Sequence, residues 1–309
     1  RFDSPQKTFP SVTTDENGFR TTLLKDGETV LRYADFVNSK HATAKGIVLG
    51  SSAVFGVGAT HDRYTISSML NKYTDTVWFN FGGRAFNSTQ ETLLFLLFFP
   101  TVIKKMVIFS GVNNLTLAYL SSNTSPIYNS FFSQSIFEKA MGLPNPETMG
   151  IKQAVKQLLK EIKYKVRPPA PTAPRRDIDL QYDNIIRCQR RDLSIISGLS
   201  SVLGFKVYFA FQPIATWINK KLSNEEQSIF SLLDQLSMDW SVLARYITSK
   251  KDKYIGDINV ICNELNIPFY DLNEAEIFSS NEWLFVDRIH LTDRGYDVSS
   301  QIVKERVNL

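Results

Sequence analysis

Short, largely apolar runs, all but the last closing on a small or amide residue, alternate along this chain with longer stretches whose apolar positions recur three and four apart. The runs at residues 46–50, 76–80, 106–110, 206–212 and 268–272 read as buried strands of a parallel sheet. A strand covered on both faces has no polar side to alternate with, so it is apolar throughout. The stretches between them read as helices. Residues 61–73 place Ile66, Met69, Leu70 and Tyr73 on one face. Residues 88–99 open with Ser88 as N-cap and Glu91 three positions on, and Pro100 stops them. A helix over 183–202 ends at Gly204. Ser223 and Glu226 have capping-box spacing and open a helix reaching 248; further helices span 253–265 and 292–307. Strand and helix alternating at intervals of about 30 residues predict a parallel sheet with helices on both faces. Residues 1–45 read as an irregular lead-in, with a short strand within 28–36.

The rhythm pauses between residues 115 and 182, which are rich in Ser, Asn, Pro and Lys and carry no strand pattern. Residues 121–135 are loop-like, and 150–166 form a basic helix candidate with Lys152, Lys156, Lys160 and Lys163 at helical spacing. Residues 168–174 read PPAPTAP, an extended polyproline-like link. The basic face is by default solvated; contact with an anionic glycan, headgroup or carrier is the functional alternative. Phe131, Phe132 and Phe137 supply either a small core of this segment or a lid over the site. The expected organisation is a lead-in over 1–45 and a single domain over 46–309, interrupted by an insertion at 115–182.

Composition narrows the class. Hydrophobic residues make up 43% and charged residues 21%, an ordinary globular balance. A net charge of +4 with no recognition motif argues against nucleic-acid binding. The longest apolar run, LLFLLFFP at 93–100, is too short to span a membrane and reads as a core helix. Arg1 in place of Met suggests a trimmed or mature form, so the absence of a signal peptide or anchor decides nothing. Cys188 and Cys262 have no metal spacing and read as buried free thiols; so few cysteines fit the cytoplasm and a periplasmic or secreted setting equally.

The residues with chemistry follow the strands. Asp287-Arg-Ile-His290, just before the last helix, puts a carboxylate where it can orient an imidazole. His41 and His61 have no comparable setting and read as surface or loop residues. Gly50-Ser51-Ser52 follows the first strand, where open α/β sheets hold their ligands. Its GSSAVFGVG context lacks the GK[ST] ending of a phosphate-cradling loop. The second strand ends in Asn80-Phe-Gly-Gly83-Arg84-Ala85-Phe86 and the third in Gly111-Val-Asn113-Asn114. Small and amide residues at neighbouring strand ends can aim N–H groups at one point, which is what an oxyanion hole needs. Gln212 closes the fourth strand at the same edge, and Trp217 follows in the next loop.

In this order the blocks resemble the SGNH hydrolase family, the GDSL-like esterases and acyltransferases. The resemblance covers most of residues 46–307 and implies a flavodoxin-like α/β/α sandwich around a five-stranded parallel sheet. It implies Ser52 as nucleophile, His290 as base and then acid, and Asp287 as its orienter. It also implies an oxyanion hole from the Ser52 and Ala85 N–H groups and the Asn113 amide. Ser51, Gly83, Arg84, Asn114 and Gln212 stand as candidate substrate contacts. The substrate class it implies is a small-molecule or glycan ester, with no metal or organic cofactor, and either water or a sugar hydroxyl as acceptor. Three positions depart from the family's pattern: Ser51 where Asp is usual, Ala85 where Gly is usual, and Asn114 where Asp is common. Ser51 and Ala85 favour the competing reading, a protein that keeps the scaffold and binds a glycan or protein partner without turnover.

Overall fold

A computed structural model of the chain describes residues 6, 8–38, 44–120, 178–236 and 238–307. Five strands form one parallel sheet: β3 (Lys45–Gly50), β4 (Val77–Gly82), β5 (Lys105–Ser110), β6 (Lys206–Phe211) and β7 (Phe269–Asp271). Their spatial order is β4-β3-β5-β6-β7. The chain therefore starts in the sheet at β3, steps to one side, then returns and runs to the other. This is the flavodoxin-like order, and the reversal falls between β3 and β5. All six residues of β3, the strand beside that reversal, are buried.

The sheet is covered on both faces, and side-chain alternation decides which residue faces which layer. Ile47, Leu49, Phe79, Phe81, Met106, Ile108, Phe209 and Phe211 join one core. That core is closed by α4 (Ser88–Leu97), α5 (Val112–Leu120), α6 (Ile178–Leu203), α8 (Met238–Ser249) and α9 (Lys251–Glu264). Val48, Trp78, Val107, Phe109 and Ala210 point the other way. They meet α2 (Ser52–Phe55), α3 (Ile66–Tyr73) and α10 (Asp293–Val307).

The lead-in is more structured than its sequence suggests. It forms a two-stranded antiparallel ribbon, β1 (Thr22–Leu23) and β2 (Val30–Leu31), and a short helix, α1 (Tyr33–Asn38). Phe19, Leu31 and Phe36 are buried in the same core as the sheet's Phe79 and Phe81. Arg20 is fully buried against Asp62, with Nε donating to Oδ1 at 2.7 Å. The ends of the presumed insertion also belong to the framework: α5 reaches residue 120, α6 starts at 178, and Leu115, Leu117, Ala118 and Tyr182 are buried. The basic helix candidate, the PPAPTAP link and Phe131, Phe132 and Phe137 lie outside the described residues, as does His41.

Several helix boundaries differ from expectation: the helix predicted over 183–202 already starts at Ile178. The helix predicted over 61–73 is a 3-10 turn at Asp62–Tyr64, then α3 capped by Thr65. His61 is half-buried, and its Nδ1 accepts from the Arg63 N–H. The cap of α4 is Asn87, not Ser88, with a reciprocal capping box to Gln90. That frees Glu91 to turn inward. The helix predicted over 223–248 is two helices, α7 (Asn224–Leu236) and α8. Phe230 of α7 packs in one core and Leu243 and Ile247 of α8 in the other, so a single straight rod could not serve both. Its opening matches expectation: Ser223 N–H donates to Glu226 Oε2 at 2.8 Å and Glu226 N–H to Ser223 Oγ at 3.2 Å. Both cysteines are buried and unbridged; burial raises the Cys188 thiol and pushes that of Cys262 up to about 12. Among the described residues no helix is long and apolar enough to cross a membrane.

Candidate active site

Ser52 is the first residue of α2 and follows β3 with only Ser51 between. Its N–H belongs to the first helical turn and so has no intrahelical acceptor. The turn is held tightly to the next strand. A Cβ on Gly82 would lie 2.1 Å from the Phe55 nitrogen, so only glycine lets β4 approach this helix. Asn80, fully buried, donates from Nδ2 to the Val54 carbonyl at 2.6 Å and accepts the Gly82 N–H at 2.9 Å. One side chain thus ties α2 to its neighbour strand.

His290 arrives from 238 residues away. Residues 285–291 form a small closed loop: Phe285 and Leu291 pair as an antiparallel bridge, and Val286 N–H donates to the His290 carbonyl at 2.9 Å. Thr292 then caps α10, accepting the Gly295 N–H at 3.1 Å. Inside the loop, Asp287 Oδ1 accepts the N–H groups of Ile289 and His290, each at 2.7 Å. Its Oδ2 lies 2.6 Å from His290 Nδ1, and His290 Nε2 lies 2.8 Å from Ser52 Oγ.

Electrostatics sets the proton positions. Burial alone raises the Asp287 carboxyl, but the adjacent His290 and the hydrogen bonds it accepts outweigh that and hold it below its ordinary value. Asp287 is therefore ionised at neutral pH and can only accept. Nδ1 of neutral His290 must then carry the hydrogen, which leaves Nε2 as an acceptor for the Ser52 hydroxyl. Burial lowers the His290 pKa, but the charge and hydrogen bond of Asp287 reverse this and leave it raised.

Hydrogen bonds join the other strand ends to this centre. Gly83 N–H donates to the Gly50 carbonyl at 3.1 Å, and Asn113 Nδ2 donates to the Phe86 carbonyl at 2.7 Å. An amide nitrogen has two hydrogens, so this bond orients Asn113 and leaves one N–H available. Ala85 sits at φ 59, in the left-handed region. An alanine pays about 1–2 kcal/mol there, a cost that glycine avoids. Asn114 serves the scaffold: its Oδ1 accepts the Ser88 N–H, and its Nδ2 donates to Ser88 Oγ and Gln189 Oε1. Both hydrogens of its amide are thus engaged by the scaffold, which leaves Oδ1 one lone pair. Gln212 is buried, and neither of its amide atoms has a hydrogen-bond partner among the described residues. The Arg84 guanidinium lies 5.7 Å from the Phe55 ring centre. Ser51 caps α2 without a side-chain hydrogen bond, and a Cβ on Gly83 would meet the Phe86 ring at 2.3 Å.

Sequence reasoning missed the layer behind the strand ends. Glu91 accepts from Ser110 Oγ at 2.7 Å, Tyr254 OH donates to the Gly111 carbonyl at 2.7 Å, and Asp192 accepts from Ser88 Oγ at 2.7 Å. In sequence these residues look like ordinary exposed helix positions; only the buried face of each helix would have flagged them. No group of His, Cys, Asp and Glu fit to hold a metal occurs among the described residues.

Compared by sequence, the chain matches no protein-family model and no curated protein. Compared by structure, it is similar to an extracellular lipase from Streptomyces rimosus, at 14% identity and TM-score 0.45 over 85% of this chain and 100% of that one. An acetyl xylan esterase, AlAXEase, gives 11% identity and TM-score 0.43, over 85% and 99% of the two chains. A protein assigned to the G-D-S-L family from Desulfitobacterium hafniense gives 10% and 0.41, over 85% and 99%. Likenesses this distant are no ground for a shared activity; the chain's own residues have to supply it.

Proposed function

We propose that this chain is a serine ester hydrolase of the SGNH type, acting on a short acyl ester such as an O-acetyl group on a carbohydrate. The observation that carries the reading is the unbroken hydrogen-bond chain Ser52 Oγ–His290–Asp287 at the crevice where the strand order reverses. Doubly wound sheets bind ligands at that crevice, outside the carboxyl ends of the strands. Ser52 follows β3 and Asn113 follows β5, the two strands that flank the reversal.

In this reading His290 Nε2 takes the Ser52 proton as Oγ attacks the ester carbonyl, and Asp287 stabilises the resulting imidazolium. The oxyanion is met by the N–H groups of Ser52 and Ala85 and by the second amide hydrogen of Asn113. Collapse expels the alcohol, protonated by His290, and leaves Ser52 acylated. Water attacks the acyl-enzyme by the reverse sequence and releases the acid; a sugar hydroxyl in place of water would make an O-acyltransferase. Ser52 is only 8% exposed, which suits a small acyl group. Arg84 and Gln212 are the proposed substrate contacts. The left-handed backbone at Ala85 answers one reason for reading the protein as a non-catalytic binder, since the residue takes up the conformation glycine would and keeps its N–H.

Hydrolysis of p-nitrophenyl acetate tests the reading. Turnover lost in both Ser52→Ala and His290→Ala, with folding retained, is expected; turnover that survives either substitution rules this centre out. Added oligosaccharide acceptor then separates hydrolase from transferase by whether acetylated glycan forms faster than acetate.

A further inference from the structure

Behind the strand end that presents Asn113 lies a buried carboxyl that the ester mechanism does not use. Glu91, on the first turn of α4, is 2% exposed, and its Oε1 accepts the Ser110 hydroxyl at 2.7 Å. Ser110 is the last residue of β5, and at Gly111 the chain turns into α5, whose second residue is Asn113. Tyr254 holds the same turn from α9, its OH donating to the Gly111 carbonyl.

We propose that Glu91 is a positioning residue for the chemistry at Ser52: its carboxyl fixes Ser110 and, through it, the turn that aims the Asn113 amide. The inference rests on the ester-hydrolase reading above and adds a residue to it. Glu91 touches neither substrate nor Ser52; it acts through Ser110.

The surroundings decide which protonation state does this. From β5 Glu91 faces the Ser110 hydroxyl, from α9 the Tyr254 phenol, and from α6 the carboxylate of Asp192. Asp192 is itself paired with Arg191 and accepts from Ser88 and Thr89 on α4. No cation pairs with Glu91 among the described residues. Burial therefore raises its pKa to about 8, with a small further push from Asp192, against the lowering effect of the Ser110 hydrogen bond. At neutral pH Glu91 is an uncharged acid. Its ionisation would place a negative charge one residue from the turn that must receive the oxyanion, and like charge there opposes the transition state.

The test is the alkaline side of the kcat/KM profile, corrected for spontaneous ester hydrolysis, in the wild type, Glu91→Gln and Ser110→Ala. Free-enzyme ionisations appear in kcat/KM. The wild type should lose about tenfold in kcat/KM as pH rises from about 7 to about 9, with an apparent pKa near 8, and Glu91→Gln should abolish that fall. Ser110→Ala, which removes only the linking hydroxyl, should lower kcat several-fold with KM unchanged. Infrared spectroscopy reads the carboxyl without any substrate: a protonated-acid carbonyl band should be present at neutral pH, titrate near pH 8 and be missing from Glu91→Gln. A Glu91→Gln profile identical to that of the wild type, with the band present, would overturn the role of Glu91 and leave the Ser52 mechanism standing. A folded wild type without turnover would overturn both, since there would be no chemistry to position.

Discussion

Asp287 decides how His290 behaves. With its charge removed, burial alone acts on the imidazole and pulls its pKa down. Asp287→Asn should therefore move the acid limb of kcat/KM to lower pH, while the loss of the correct tautomer lowers kcat by about 10⁴. A pH profile of both proteins checks the two effects together. Asn113→Ala should lower kcat by about 10²–10³ through one lost oxyanion donor. Circular dichroism should still show a folded chain, because losing the one hydrogen bond from Asn113 to the Phe86 carbonyl costs only about 1–3 kcal/mol. At this scale the sequence was most legible for Ser52, Asp287 and His290, whose proposed roles came from residue type and order and whose side chains the structure brings within hydrogen-bond distance. It was least legible where one amide looks like another. Asn113 and Asn114 are adjacent, yet the first keeps a free N–H and the second is consumed by Ser88 and Gln189. Only packing tells them apart.

Among the elements, the 285–291 loop has to sit against the turn after α2 for His290 to reach Ser52. Gly58, at φ +95, makes that approach possible: a Cβ there would lie 2.3 Å from the Leu291 carbonyl oxygen and 2.8 Å from Val286 Cγ2. Gly58→Ala should destabilise the fold by about 1–3 kcal/mol from backbone strain, with the clash adding to it. It should also lower kcat more than KM rises, because the histidine loop moves away from the serine. Urea unfolding and steady-state kinetics on one preparation separate the two. Strand positions were readable from their apolar runs to within about two residues. Helix caps were harder: Ser88 and Glu91 satisfy the capping pattern as well as Asn87 and Gln90 do, one position earlier. The choice was made by Glu91, whose side chain turns to Ser110 inside the core. The division of 224–249 into α7 and α8 depends on which core each half enters, which local pattern does not carry.

For the molecule as a whole, the segment before β3 is part of the structure that holds α2, the helix that begins at Ser52. The Arg20 guanidinium donates to the carbonyls of Phe55 and Gly56 at the end of α2 as well as to Asp62. Arg20→Met should leave Asp62 buried without its cation, at a cost of about 3–5 kcal/mol, and lower the thermal midpoint accordingly. A scan that shows no change would mean that the arm carries no stability. The arm's low regularity hid this role, since its contribution is a few long-range contacts rather than a periodic face. The parallel pairing of the strands, by contrast, was foreshadowed by the alternation of strand and helix, because parallel strands require crossovers. The central claim is that Ser52 is a nucleophile activated by His290, and a fluorophosphonate probe followed by intact-mass and peptide analysis tests it most directly. A single phosphonyl adduct on Ser52, absent from Ser52→Ala and much slower to form in His290→Ala, is the predicted result. A folded wild type that stays unlabelled, or that carries its adduct on another residue, would contradict it.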